Sequence, residues 1–186
     1  TQLEQMLRDV VLGAANIVLD AGPHVGDALT AFAKIARGLG KNLSHISLDL
    51  AIDPFAPQAD VALLAEGLQL MCGADDADIT DGVFRLNGWQ WHNHGLSQVQ
   101  ELTYLLAAAT QVFRSGSEAG LQAELIARKT SMSVALPADM FDGIAKCRAL
   151  RRGWAGLVTA LGLRADSYPL QLQALPSMRM FSLADA

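Results

Sequence analysis

His92 and His94 are the residues of this sequence that most readily suggest a metal site. Neutral imidazole is a good ligand for zinc and related ions, and two residues two positions apart on a strand share a face. No acidic or thiol third ligand stands at short spacing from the pair. The sequence therefore favours loop histidines that hydrogen-bond to the backbone over a metal centre.

Three aspartates, Asp20, Asp49 and Asp53, stand at or near the ends of predicted strands. Barrel enzymes keep their catalytic groups at the carboxyl ends of their strands, so these side chains are candidates for a site at a barrel mouth. Aspartate is equally common as a helix cap and a turn former. Both interpretations stay open.

Two clusters of charged residues are better explained as solvent-exposed surface than as ligand-binding sites. The acidic segment 75–82 resembles a calcium loop only in its acidity, because the fixed ligand spacing and the closing Glu are absent. On a predicted helix, Lys146, Arg148, Arg151 and Arg152 form a basic face that would attract a phosphate or pair with nearby carboxylates. We favour a solvated acidic turn and a surface role for the basic residues.

No local arrangement supports nucleophilic catalysis. Ser117, Ser131 and Ser133 have no His and Asp beside them, and neither Cys72 nor Cys147 stands next to a base. Two lone cysteines make neither a zinc cluster nor a disulfide framework, which favours a reducing cytoplasm.

The composition describes a folded, mildly acidic chain of 186 residues. With 14 Lys plus Arg against 19 Asp plus Glu, the net charge of -5 makes nucleic acid and anionic membranes poor partners. No stretch reaches the roughly 18 apolar residues of a membrane span, and the first residues lack the pattern of a signal peptide. Because the chain begins with Thr1, we expect one structural unit, 1–186, taken from a longer protein.

Short apolar runs alternate with helical patterns along the chain. Each run ends at a Pro or a polar turn, which predicts five strands, at 15–20, 45–50, 83–86, 131–136 and 170–175. Helices are predicted at 27–39, where Gly38 and Gly40 supply the stop, at 57–71, after the capping box Ser97-Gln98-Val99-Gln100, and at 138–161. The last has an apolar stripe of Phe141, Ile144, Cys147, Leu150, Trp154, Leu157 and Leu161.

Strands that alternate with helices of ten or more residues predict a parallel α/β sheet. A doubly wound nucleotide-binding sheet is disfavoured, because no Gly-x-Gly-x-x-Gly follows the first strand and Pro23 removes an amide there. The rival is a partial (β/α)8 TIM barrel, which needs about 250 residues when whole.

A family resemblance lies in residues 141–154, which read F-D-G-I-A-K-C-R-A-L-R-R-G-W. They resemble the F-x-x-I-A-K-x-R-A-x-R-x-x-W segment of the adenosylcobalamin-dependent acyl-CoA mutases, chiefly the methylmalonyl-CoA mutase family. Residues 95–104 are similar to the family's A-G-A-x-x-x-Q-E-L-A segment, and residues 176–185 to the stretch after its sixth barrel strand. The resemblance covers residues from about 80 to 186 well and the earlier part loosely.

The resemblance implies a piece of a substrate-binding TIM barrel, with coenzyme A threaded along the axis and a separate cobalamin domain at the mouth. The five predicted strands would correspond to barrel strands two through six. The family's D-x-H-x-x-G cobalamin signature does not occur in this sequence. We therefore expect adenosylcobalamin and acyl-CoA in the whole enzyme and neither bound to this piece.

Catalytic members of the family carry a Tyr-His pair at the end of the fourth strand, where this sequence has Trp89 and Gln90. Gln has no titrating proton, so the resemblance implies that family catalysis is lost here. Trp91-His92-Asn93-His94-Gly95 looks instead like the Tyr-His-Asn-Ala-Gly of the family's non-catalytic small subunits. No catalytic residue is expected, and Asp20, Asp49, Gln90 and His92 remain candidates for the barrel mouth.

The leading hypothesis is a non-catalytic small subunit that supports a catalytic large subunit. The alternatives are an active mutase chain acting on methylmalonyl-CoA or another acyl-CoA, and a binding barrel unrelated to cobalamin. Open strand edges predict self-association where no partner covers them. We also expect inward-pointing side chains to fill a coenzyme A path, with candidates Leu48, Leu50, Phe84, Leu86, Trp89, Met132, Val134 and Leu172.

Overall fold

The computed structural model describes residues 2–7, 9–38, 46–57, 59, 62–72 and 82–181. These residues contain five strands: β1 (Asn16–Val18), β2 (Ser47–Ile52), β3 (Gly82–Asn87), β4 (Thr130–Leu136) and β5 (Gln171–Pro176). The helices are α1 (Gln2–Leu7), α2 (Val25–Gly38), α3 (Ala62–Cys72), α4 (Gly88–Asn93), α5 (Gln98–Glu118), α6 (Ala123–Lys129) and α7 (Met140–Ala160). Short 3-10 turns lie at Gly22–His24, Ala165–Ser167 and Met178–Met180.

The strands follow one another in the sheet in chain order, from β1 to β5. The pairs β1–β2, β2–β3 and β4–β5 are parallel, with helices in the connections. This order confirms the predicted α/β class, and it is the arrangement of part of a (β/α)8 barrel. The chain divides into two compact units, residues 1–85 and residues 86–186.

In the first unit, β2 carries an irregularity that positions one predicted site residue. Asp49 pairs with Gly82 and Ile52 with Phe84, so the register shifts between them. Within this bulge Ala51 has a φ of 49°, a left-handed conformation that is rare outside glycine. The Asp49 Oδ1 atom accepts the Ala51 amide at 2.8 Å, which holds the bulge in place.

In the second unit, β4 and β5 pair in continuous register from Ser131–Gln171 to Leu136–Pro176. β4 is buried nearly throughout, whereas most of β5 is exposed. The capping box predicted for α5 is confirmed, because the side chain of Ser97 accepts the Gln100 amide and that of Gln100 accepts the Ser97 amide. This cap fixes where α5 begins and therefore which of its residues face β4.

The predicted face of α7 is partly wrong, although the helix itself is confirmed. Phe141, Ile144 and Leu161 are exposed. The buried residues are Gly143, Lys146, Leu150, Trp154 and Val158. The prediction failed because it excluded a lysine from the core face.

Three short helices, α1, α4 and α6, were not predicted. Among them α4 matters most, because Trp89 lies on this helix and not at the end of a strand. Of the proposed inward-pointing residues, Leu48, Leu50, Phe84, Leu86, Met132 and Val134 are buried, while Leu172 is half-buried. The inward direction is wrong for Phe84, because its ring packs against Gly67 of α3. The acidic segment 75–81, Gly40, His45 and the start of the helix predicted at 57–71 lie wholly or partly outside the described residues. No helix of the described part is long and apolar enough to cross a membrane.

Candidate functional site

A buried ion pair lies at the centre of the second unit. Glu101 of α5 is fully buried, and its Oε2 atom accepts the Lys146 Nζ of α7 at 2.5 Å. The Ala135 amide of β4 donates to Glu101 Oε1 at 2.8 Å, and Lys146 Nζ donates to the Ala135 carbonyl at 2.6 Å. The backbone of a single β4 residue, Ala135, is thereby hydrogen-bonded to both partners of the ion pair.

Local capping places both charges against β4. Ser97 begins α5 one turn before Glu101, and Asp139 caps the amide of Asp142 at the start of α7. Lys146 then lies two turns into α7 on its buried face. Two charges this deeply buried cost several kcal/mol each to remove from water, so they persist only as a hydrogen-bonded pair.

His92 extends this cluster to the segment after β5. Its Nδ1 atom lies 3.0 Å from Glu101 Oε2, without the alignment of a hydrogen bond, and its Nε2 atom lies 3.0 Å from Ser177 Oγ. Burial lowers the pKa of His92 below its ordinary value of 6.5, helped by the positive charges of Lys146 and Arg179 and opposed by Glu101. The neutral imidazole is therefore the form that this site favours.

Ser177 and Arg179 connect the end of β5 to α4 and β4. The Ser177 amide donates to the Leu136 carbonyl at 2.9 Å, and Ser177 Oγ accepts the Arg179 amide at 3.2 Å. Arg179 Nη1 donates to the carbonyl of Leu96 at 3.0 Å and approaches that of His92 at 3.4 Å. The predicted barrel-mouth residue His92 is thus enclosed by this segment.

Ser177, His92 and Glu101 follow one another in the order of a Ser-His-acid triad, but the arrangement is not suited to acyl transfer. Ser177 is only 3% exposed, so a substrate carbonyl has no access to its hydroxyl. The carboxylate of Glu101 is already neutralised by Lys146. A nucleophile needs both contact with the substrate and an available base, and the cluster instead joins α4, α5, β4 and α7.

Trp89 and Gln90 occupy the first turn of α4. The Trp89 Nε1 atom donates to the Pro176 carbonyl at 2.7 Å, which ties α4 to the end of β5. The Gln90 amide is capped by Asn87 Oδ1, and the Gln90 carbonyl accepts His94 Nδ1 at 2.8 Å. That bond is the backbone contact that the sequence favoured for His94. The same prediction is wrong for His92, which lies within α4 and whose ring contacts side chains.

The predicted aspartates lie in the first unit, whereas the cluster lies in the second. Asp49 forms an ion pair with Arg85 and lies within β2, not at its end. Asp53 accepts the Phe55 amide at 3.1 Å in a turn, and Asp20 is exposed two residues after β1. A barrel-mouth role for Asp20, Asp49, Gln90 and His92 remains a prediction.

Neither His92 nor His94 is suited to be a cobalt ligand of a cobalamin. Both ring nitrogens of His92 lie against protein atoms, and His94 is an exposed imidazole with one nitrogen bonded to the backbone. No group of three potential metal ligands occurs in the described part of the chain. A cobalt ligand needs a free nitrogen in an enclosing pocket, so we derive no chemical step through the corrin from these residues.

The fold and the buried cluster together define a piece of a parallel α/β barrel whose helices are joined by an ion pair. The family model described as methylmalonyl-CoA mutase matches residues 83–181, more than half of the chain. The chain therefore belongs to the methylmalonyl-CoA mutase family. The matched region includes Glu101, Lys146, His92 and Ser177.

Individual relatives agree with this membership. The methylmalonyl-CoA mutase small subunit of Propionibacterium freudenreichii subsp. shermanii is 25% identical over 95% of this chain and 28% of its own length. The small subunit of Streptomyces virginiae is 28% identical over 89% of this chain and 27% of its own. The large subunit of the same species is 36% identical, but over 39% of this chain. The chain thus spans less than a third of the length of these small subunits.

Sequence reasoning missed the ion pair although both residues lie in the quoted family segments. Glu101 is the Glu of Q-E-L and Lys146 is the Lys of I-A-K, separated by 45 positions. A charged residue on a core-facing helix position was the available signal, because lysine is almost never fully buried unless it is paired.

Proposed function

We propose that this chain is part of the barrel domain of a methylmalonyl-CoA mutase small subunit. In this proposal it does no chemistry itself and supports a large subunit that interconverts methylmalonyl-CoA and succinyl-CoA. Adenosylcobalamin and acyl-CoA belong to the whole enzyme, which we place in the cytoplasm.

The observation that carries this proposal is the hydrogen bond that the Trp89 indole makes. At the position where the resemblance expects a catalytic Tyr, the Trp89 indole bonds to the Pro176 carbonyl and has no phenolic oxygen to offer a substrate. Gln90 stands where a His is expected and has no titrating proton. The small subunits that match most of the chain favour the same assignment.

The experiment compares the full-length protein alone, its mutase large subunit alone, and the two together, each with adenosylcobalamin and methylmalonyl-CoA. We expect succinyl-CoA to form only when the large subunit is present, and the large subunit to be more stable or more active in the complex. Turnover by the full-length small-subunit protein alone would refute the assignment.

An active mutase chain is the second candidate, and the match to the Streptomyces virginiae large subunit favours it. It predicts turnover without a partner and a loss of turnover when Trp89 or Gln90 is substituted. Under our proposal, Gln90→Ala leaves the activity of the complex unchanged, while Trp89→Phe affects only the contact with Pro176.

A further inference from the structure

The segment that follows β5, residues 177–181, is fastened to the end of α4 by hydrogen bonds. The amide of Met178 donates to Asn93 Oδ1 at 3.0 Å. Arg179 Nη1 donates to the Leu96 carbonyl, also at 3.0 Å. The residues of these two pairs are 85 and 83 positions apart in the chain, so the bonds hold two distant parts of the second unit together. We refer to residues 177–181 as the clasp.

His92 is the buried residue of α4 that the clasp covers. Its Nε2 atom lies 3.0 Å from Ser177 Oγ, and both residues are buried. Ser177 is also fixed through its main chain, because its amide donates to the Leu136 carbonyl at 2.9 Å. A change in the charge of His92 therefore reaches the clasp through a direct contact.

Charged groups face the His92 ring from three elements. Glu101 of α5 is a carboxylate, whereas Lys146 of α7 and Arg179 of the clasp are cations. Strand β4, which packs against α4, has no titratable side chain. One negative and two positive charges leave a net charge of +1 around a neutral imidazole, and a proton on the ring would raise it to +2. A second uncompensated charge is costly in a site that is largely closed to water.

Of the two cations, Arg179 is the one that can move away from a protonated ring. Lys146 is buried and bonds to both Glu101 and the Ala135 carbonyl. Arg179 is exposed, its guanidinium contacts backbone carbonyls, and it forms no ion pair with the described residues. Movement of Arg179 into water would relieve the repulsion and would take the clasp with it.

We propose that the clasp is a pH-sensitive switch, in which protonation of His92 releases residues 177–181 from α4 while the rest of the second unit stays folded. On release, the end of α4 loses its bonds from Met178 and Arg179. The switch does not depend on the proposed function, because all of its groups belong to the second unit of this chain.

The test measures amide hydrogen exchange of the full-length protein by mass spectrometry at about pH 7.5 and about pH 5.5, corrected for the intrinsic effect of pH on exchange. The wild-type amides of residues 177–181 should lose about three- to tenfold of their protection at the lower pH. About tenfold is the upper limit, because a released imidazole with the ordinary pKa of 6.5 lies one unit above that pH. Peptides of α5 and α7 should keep their protection.

Three variants test whether His92 is the cause. His92→Gln keeps a polar side chain that cannot titrate, so the protection of the clasp should be the same at both pH values. Arg179→Met removes the cation that is repelled, and the exposed position keeps the variant folded. It should lower the protection at both pH values and reduce the difference between them. His94→Gln, just after the same helix, is the matched control and should respond like the wild type.

Two kinds of result would overturn the switch. One is equal protection of the clasp at both pH values in the wild type, or an undiminished response in the His92 and Arg179 variants. The other is a loss of protection that is spread equally over α5, α7 and the clasp, because it would report unfolding of the whole unit.

Discussion

At the scale of single residues, Glu101 and Lys146 keep their charges in the interior because each compensates the other and both bond to Ala135. Lys146→Met should lower the free energy of unfolding by about 3–5 kcal/mol, because it leaves the Glu101 carboxylate buried without its cation. Urea unfolding followed by circular dichroism measures this loss.

The controls separate charge from packing. Arg152→Met, on the exposed side of the same helix, should change stability by less than about 0.5 kcal/mol. The double variant Glu101→Gln, Lys146→Met should be more stable than Lys146→Met alone, because the uncompensated charge is gone. A single variant as stable as the Arg152 control would contradict the role of the ion pair.

His92 makes the stability depend on pH with a defined sign. Burial, then Lys146 and Arg179, hold its folded-state pKa below 6.5, against the opposing effect of Glu101. Below pH 6.5 the unfolded chain therefore takes up a proton that the folded chain resists. The stabilising contribution is complete above pH 6.5 and is lost as the pH falls from there through the lower folded-state pKa.

We expect His92→Gln to flatten the fall in unfolding free energy between about pH 7 and pH 5, as measured by urea titrations at each pH. His94→Gln replaces an exposed imidazole just after the same helix and is the matched control, which should keep the wild-type slope. An unchanged slope in the His92 variant would show that another group governs the dependence.

At the scale of elements, Gly67 and Gly156 are two helix glycines with opposite surroundings. A Cβ at Gly67 of α3 would overlap the ring of Phe84 in β3, whereas a Cβ at Gly156 of α7 meets nothing within 4 Å. Gly67→Ala should cost about 1–3 kcal/mol from overpacking. Gly156→Ala should stabilise by up to about 1 kcal/mol through helix propensity. Thermal unfolding of the two variants should therefore shift in opposite directions, and equal shifts would contradict the packing of α3 on β3.

The elements that the sequence predicted well are those with strong local signals. The capping box before α5 and the prolines near the ends of β4 and β5 marked those boundaries to within a residue or two. Helix α4 was missed because six residues with two tryptophans and a histidine show no helical period. Its position depends on contacts to distant residues, Asn87 with Ser133 and Trp89 with Pro176, which no local pattern reveals.

At the scale of the whole molecule, the family match and the buried cluster both fall mainly in the second unit, residues 86–186. The segments 95–104 and 141–154 predicted the family, but they did not predict that their side chains contact each other in the fold. Glu101 and Lys146 come together because α5 packs against α7 and both residues bond to Ala135 of β4. Lys146, which the sequence predicted on the surface, is buried between α7, α5 and β4.

Among the described strands, β5 lies at one end of the sheet, and this edge determines how the chain should behave in solution. Parallel strands are usually covered on both faces, yet Gln171, Gln173, Ala174 and Pro176 are exposed, and β5 has no charged residue to discourage pairing. Light scattering of the 186-residue chain should show an apparent mass that rises with concentration. Gln173→Lys with Ala174→Lys should reduce this association, because two charges would have to approach each new strand. Gln111→Lys, at an exposed position of α5, should leave the association unchanged. A constant monomeric mass of the unmodified chain would contradict the prediction.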